Sequence, residues 1–219
     1  MNPRLPILVI AGILIALSGL ALYARANPPP RQFPAVIATP SPVSGYPPGR
    51  EPIPYPVDYR TTLAHYLTVD RVDAVTRNVY ISREAIEAVQ RGDPIPYGTV
   101  VVIEAFDAAL DSNGQPALDA QGRLIPGALR VDEIHVGERR STWRIEDLSA
   151  TSHLGGWNFR AFEFDTGTPI DKDLSDCFSC HEGASRREFL FSRPLLATYA
   201  RTGEIQHVSC PLPNRDPCF

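Results

Sequence analysis

The sequence predicts an α+β fold. It is an antiparallel β-sheet with a few packed helices, and a C-terminal helix carries a C-x-x-C-H motif. An N-terminal transmembrane helix and a proline-rich linker precede it. Three observations lead there. Runs rich in β-branched residues, such as Thr99–Ile103, alternate with turn-forming stretches. Helical spacing of apolar residues is confined to short segments near the ends of the domain. Composition also changes abruptly near residue 57, from proline-rich to ordinary globular.

Residues 1–26 hold an apolar run from Leu5 to Ala24 behind one cation, Arg4. Twenty residues at helical rise cross a hydrocarbon core, so the run reads as a transmembrane anchor. Ala24-Arg25-Ala26 resembles a signal-peptidase site, so a cleaved signal peptide is the alternative. Residues 27–56 form the linker, with 11 of the 22 prolines between 28 and 56. Such a chain favours polyproline II and reaches on the order of 90 Å when fully extended. Its second half, with Tyr46 and Tyr55, can instead dock on the domain surface.

Residues 57–219 are the folded domain, long enough to bury a core without metals or disulfides. Tyr59–Val69 reads as a short helix, through Leu63, Tyr66 and Leu67. Arg77–Ser82 reads as a strand. Ser82–Gly92 is an amphipathic helix with Ser82 as cap, Glu84 in its first turn and Gly92 at its end. Tyr97–Leu110 is a strong strand, and Asp111–Gly122 is turn material. Arg123–Ile145 supplies one or two strands, and Gly155–Asp165 another. Lys172–Ala184 is helical, and Arg187–Ala200 closes the core. The net charge of −4 gives no footprint for a nucleic-acid partner.

The chemistry sits in Cys177, Cys180 and His181. On a helix, residues three apart share a face and the next residue follows close behind. Two thiols so placed can each join one vinyl group of a haem, with the imidazole beneath the iron as its ligand. A redox dithiol would want the motif just after a strand of a β-α-β unit. A zinc site would need further ligands, from His207, Cys210 or Cys218. Haem c is the favoured cofactor, and its attachment outside the cytoplasm makes the domain extracytoplasmic or periplasmic. It would be tethered to the membrane, or secreted if the leader is cleaved. In such a compartment Cys210 and Cys218 are expected to form a disulfide.

Met1 is the only methionine, which excludes His/Met ligation within the domain. Bis-histidine ligation would draw on His65, His135, His153 or His207 and imply an electron carrier. An open sixth position implies ligand binding or chemistry.

The order of Tyr59–Arg71, Arg77–Val89, Gly98-Thr99-Val100 through Glu104, Trp157-x-Phe159-x-x-Phe162, Cys177-x-x-Cys180-His181 and Phe189–Leu196 resembles the cytochrome P-460 and cytochrome c′-beta family. The resemblance covers most of residues 59–196. It implies an antiparallel sheet, a homodimer, one c-type haem and an open or weakly ligated distal side. Cys177 and Cys180 match the thioether cysteines, and His181 matches the proximal ligand. Hydroxylamine-oxidising members carry a haem-linked lysine where Ile103 stands here. The only lysine of this chain is Lys172. The reading therefore leans to the c′-beta type, which binds nitric oxide in an apolar pocket.

If Ile103 faces the haem, strand alternation puts Val101 and Ala105 beside it and Glu104 on the other face. An apolar wall suits a small neutral diatomic better than proton-coupled oxidation. Trp157, Phe159, Phe162 and Phe106 are candidate pocket walls, and Tyr80 a further lining residue. Arg77 and Arg160 are candidate partners for the propionates. The expected partners are a small diatomic or hydroxylamine-type ligand, a redox partner protein, the membrane through the leader, and a second copy of the chain. The runner-up functions are hydroxylamine oxidation, peroxide reduction and bis-histidine electron transfer.

Overall fold

The β-branched segments pair into a seven-stranded sheet in the computed structural model, which describes residues 52–143 and 154–211. The predicted membrane span, the linker as far as residue 51, His153 and Cys218 lie outside the described residues. No helix among the described residues is long and apolar enough to cross a membrane.

The strands are β1 (Ala64–Arg71), β2 (Val75–Ile81), β3 (Val100–Ala108), β4 (Pro126–Arg139), β5 (Trp157–Glu163), β6 (Pro169–Ile170) and β7 (Gln206–Cys210). The helices are α1 (Tyr59–Thr62), α2 (Arg83–Arg91), α3 (Ser175–Glu182) and α4 (Arg193–Thr202), with a 3₁₀ turn at Ser185–Arg187. Strand order is β6-β5-β4-β3-β2-β1-β7. Neighbours are antiparallel except β7, which runs parallel to β1. The architecture is α+β as expected, but the sheet is mixed rather than purely antiparallel. α4 is the crossover that makes β7 parallel: it packs on β1 and returns the chain to the sheet edge.

Two expectations need correction. The segment Tyr59–Val69 is helical only over α1, and its remainder is strand β1. β1 pairs on both sides, with β2 and β7, and these ladders outweigh a weak helical pattern. Ser82 stands at the start of α2, but its hydroxyl does not cap the helix. It accepts from the Val100 N–H at 2.8 Å and donates to the Val100 carbonyl at 3.3 Å, fastening α2 to β3. Arg123–Ile145, expected to supply one or two strands, supplies one among the described residues, the 14-residue β4.

Register assigns the two faces. Tyr80, Val102 and Val136 lie in one row across β2–β4, as do Asn78, Glu104 and Ile134. These residues share a face, and β5 adds Arg160 and Phe162 to it. The end of the proline-rich segment docks there: Ile53 and Tyr59 join Tyr80, Val102, Ile134, Val136 and Phe162 in one buried cluster. Tyr55 meets Phe162 edge-on at 5.6 Å.

Glu104 is buried at 1% exposure in this face. Its carboxylate accepts from the Tyr59 hydroxyl, from Arg60 Nε at 2.5 Å and from the Tyr80 hydroxyl at 3.4 Å. A buried carboxylate is tolerated only when donors replace its water, and these three do so. They also bind the docked segment to the middle of the sheet.

Glu104→Ala strands these donors and opens a cavity. It is expected to cost about 3 kcal/mol in urea unfolding. Burial, and then the Glu104 charge, push the Tyr80 hydroxyl from 10.0 up to about 12. The folded state thus holds this proton more tightly than the unfolded chain. The stabilisation is complete below pH 10 and is lost as pH rises through 12. Unfolding measured across that window is expected to show a steep alkaline loss that Tyr80→Phe reduces.

Candidate functional site

The opposite face carries the other half of each strand. Val101 pairs with Gly137 and Ile81, and Gly137 with Phe159; Ile103 pairs with Val79 and His135, and His135 with Ala161. Trp157 and Phe159 belong to this face, and α3 approaches it. Phe178, buried on α3, meets Phe159 edge-on at 5.2 Å. The bare Gly137 makes room for that ring, since a Cβ there would stand 3.1 Å from Phe159 Cε1.

Helix α3 has little amphipathic drive of its own and is held at its ends. Asp173 Oδ1 accepts from the Ser175 N–H at 2.8 Å. Cys177 and Cys180 lie one turn apart, both half-buried and neither in a disulfide. Burial pushes the Cys177 thiol up. That opposes the reactive thiolate a redox dithiol needs.

His181 follows directly. Its Nδ1–H donates to the Phe189 carbonyl at 2.6 Å. A carbonyl can only accept, so the ring proton stays on Nδ1 and the lone pair is on Nε2, the form that ligates a metal. Phe159 lies 4.8 Å from the imidazole and Phe191 5.3 Å. Two neighbouring thiols, an oriented imidazole and an aromatic surround form a donor set that fits a haem.

The zinc alternative fails on placement. His207 and Cys210 belong to β7, at the far edge of the sheet from β5. Five strand spacings separate β5 from β7, about 24 Å. His207 Nε2 is hydrogen-bonded to Asp70 Oδ2 at 2.7 Å. Among the described residues no three His, Cys, Asp or Glu side chains gather into a metal site. Cys210 is buried; its expected disulfide partner, Cys218, lies outside the described residues.

The other predicted site residues divide between the faces. Ile103, Trp157 and Phe159 lie on the α3 face, with Val101 and Ala105. Arg77 is half-buried there, opposite Ala105 and Val69. Glu104 is on the other face, as alternation requires. Phe106, Tyr80 and Arg160 share the Glu104 face, so the sheet stands between them and α3. Phe162 is there too. Tyr80 is bonded to Glu104, and Arg160 lies over the Phe162 ring at 5.6 Å. Phe106 is there by the same alternation, three residues on from Ile103 in β3; the faces of Tyr80, Arg160 and Phe162 relative to Ile103 depend on cross-strand register, which the separate strand patterns do not contain.

The candidate histidines divide likewise. His65 stacks on Tyr80 at 4.9 Å, and its Nε2 lies 3.1 Å from the Leu67 carbonyl and 3.0 Å from Thr68 Oγ1. His135 is exposed on the α3 face, in the row of Ile103 and Ala161. Its Nε2 lies 2.8 Å from Glu133 Oε1, which also accepts from Lys172 Nζ at 2.7 Å. Burial would raise the Glu133 carboxyl, but the bonds from Lys172 and His135 outweigh it and hold it below the usual range. The apolar wall around Ile103 therefore has a polar, proton-carrying edge.

Sequence reasoning missed Glu188, Phe189 and Phe191. The signal for the two phenylalanines was the apolar Phe189-Leu190-Phe191 triplet just after the motif, read only as core. Phe189 packs its ring over Gly155, where a Cβ would come within 2.4 Å of the ring at a backbone φ of +60°. Gly155→Ala is therefore expected to cost about 2 kcal/mol, from backbone strain and displacement of Phe189. Urea unfolding, with near-UV circular dichroism following the aromatic packing, checks this.

The family model for cytochrome P460 matches residues 56–192, well over half of the chain. The match takes in α1, the strands from β1 to β6 and the whole of α3. Comparison with curated proteins returns no match.

Proposed function

We propose that this chain, which belongs to the cytochrome P460 family of haem proteins, carries a c-type haem on α3 and binds nitric oxide or a related small ligand beside it. Cys177 and Cys180 hold the haem through thioether bonds, and His181 Nε2 ligates the iron. The observation that carries this reading is the His181 Nδ1–H bond to the Phe189 carbonyl, which presents the imidazole in its ligating tautomer. When bound, the haem supplies a redox-active iron that coordinates small molecules.

The remaining work belongs to the chain. Phe159, Phe178 and Phe191 exclude water around the imidazole. Ile103, Val101 and Ala105 offer apolar surface on the same sheet face, where a neutral diatomic loses no hydrogen bonds. Arg77, half-buried on the same sheet face, is the propionate partner in this reading. The protein works outside the cytoplasm, where such haem attachment takes place, tethered by its N-terminal segment, as a homodimer and with a redox partner protein.

One observation favours a second reading. His135, backed by Glu133 and Lys172, puts a proton donor or acceptor on this face. Such a group serves oxidation of hydroxylamine or reduction of peroxide, although Ile103 stands where hydroxylamine-oxidising relatives carry a cross-linking lysine.

Optical and electron paramagnetic resonance spectra of the holoprotein, ferric and ferrous, test these readings. A high-spin ferric signal that shifts on nitric oxide, without turnover of hydroxylamine, is expected. Turnover that Ile103 tolerates and His135→Ala abolishes would favour the enzyme. A low-spin spectrum unmoved by nitric oxide would overturn ligand binding in favour of electron transfer.

A further inference from the structure

Resting on the reading of α3 as the haem site, we propose that Glu188 is a positioning residue that sets the hydrogen bond to the proximal imidazole, and through it the electron donation of His181. The Phe189 carbonyl reaches His181 only because two consecutive residues turn left-handed, Glu188 at φ 56° and Phe189 at φ 63°. Neither is glycine. Both conformations are strained for residues that carry a Cβ, so the turn persists only if its surroundings hold it.

The surroundings do so mainly through Glu188. Its Oε1 accepts from the Ile95 N–H at 2.9 Å and from Arg139 Nη1 at 3.3 Å. Its Oε2 accepts from Arg193 Nε at 2.6 Å. Its backbone carbonyl accepts from Trp157 Nε1 at 3.0 Å. One residue thus ties the turn to the loop before β3, the end of β4, the start of β5 and the start of α4. Burial would raise the Glu188 carboxyl, yet the bonds from Arg193 and the Ile95 N–H hold it low and charged. Arg139 also donates to the Gly155 carbonyl at 3.0 Å and to the Ile95 carbonyl, so the anchor is itself anchored. Phe189 N–H donates to the Ala184 carbonyl at 2.9 Å, which closes the turn onto the end of α3.

None of these contacts touches the haem-binding atoms. What they determine is where the Phe189 oxygen sits, 2.6 Å from Nδ1. A short bond there gives the imidazole anionic character and makes Nε2 a stronger donor. A stronger donor favours oxidised over reduced iron. Loosening the turn therefore raises the midpoint potential.

The test compares wild type, Glu188→Gln and Glu188→Ala as holoproteins, by redox titration and by the iron–histidine stretching frequency of the ferrous protein. Glu188→Gln keeps an acceptor for Ile95 but loses the charge facing Arg193 and Arg139. The expected order of potential is wild type lowest, then Gln, then Ala. The Ala variant should be shifted about tenfold toward the reduced form at fixed potential, equivalent to about 59 mV. The stretching frequency falls in the same order. Glu104→Gln, on the other face of the sheet, should lower stability and move neither readout. If Glu188→Ala fails to fold, Glu188→Gln and Trp157→Phe, which removes the donor to the Glu188 carbonyl, must still raise the potential. Values equal to wild type in these variants overturn the proposal. A wild-type protein without covalently held haem overturns instead the reading on which it rests.

Discussion

The two-residue period of β3 is the constraint on which the rest depends. Glu104 and Ile103 are neighbours in the chain and face opposite sides of the sheet. Glu104 needs donors, and Tyr59, Arg60 and Tyr80 gather around it, bringing the N-terminal segment down onto that face. A shift of one residue in the pairing of β3 would bury Ile103 among the tyrosines and turn a carboxylate toward α3. The buried carboxylate thus penalises the wrong register. It leaves the other face, with Val101, Ile103 and Ala105, for the segment carrying the cysteines.

That other face receives α3 through aromatic contact rather than through an amphipathic helix. Phe178 leans on Phe159, Phe159 on His181, and His181 on Phe191. The imidazole is thereby held by two tilted aromatic rings and on its Nδ1 edge by a backbone carbonyl. Aromatic contact sets where the ring lies, and the hydrogen bond sets its rotation and tautomer. The strained turn supplying the carbonyl sits in a ring of ion pairs around Glu188, the kind of over-determination that non-glycine left-handed residues need.

Much of this was legible in the sequence, for physical reasons. The strand at Val100–Ala108 and the helix at Arg83–Arg91 each satisfy one period strongly, and both form close to their expected bounds. The C-x-x-C-H spacing is readable because three thiol and imidazole positions on one turn constitute most of the donor set. Phe106 lies on the far face through the two-residue period of β3 alone, whereas Tyr80 and Arg160 do so because cross-strand register couples segments that pattern reasoning treats singly. The sequence around β1 reads as helix because Leu63, Tyr66 and Leu67 meet a 3.6-residue spacing, although ladders on both sides decide otherwise. The role of Glu188 had no local signal. It arises from Ile95, Arg139 and Arg193, nearly a hundred residues apart along the chain and gathered only by the fold.

The central claim is that Cys177 and Cys180 are sites of covalent haem attachment. Its most direct test is the intact mass of the protein, purified under denaturing conditions from a host able to attach c-type haem. The account predicts the polypeptide plus one haem, reduced to the bare polypeptide when both cysteines are replaced by alanine. A bare polypeptide mass from the unaltered chain would contradict it.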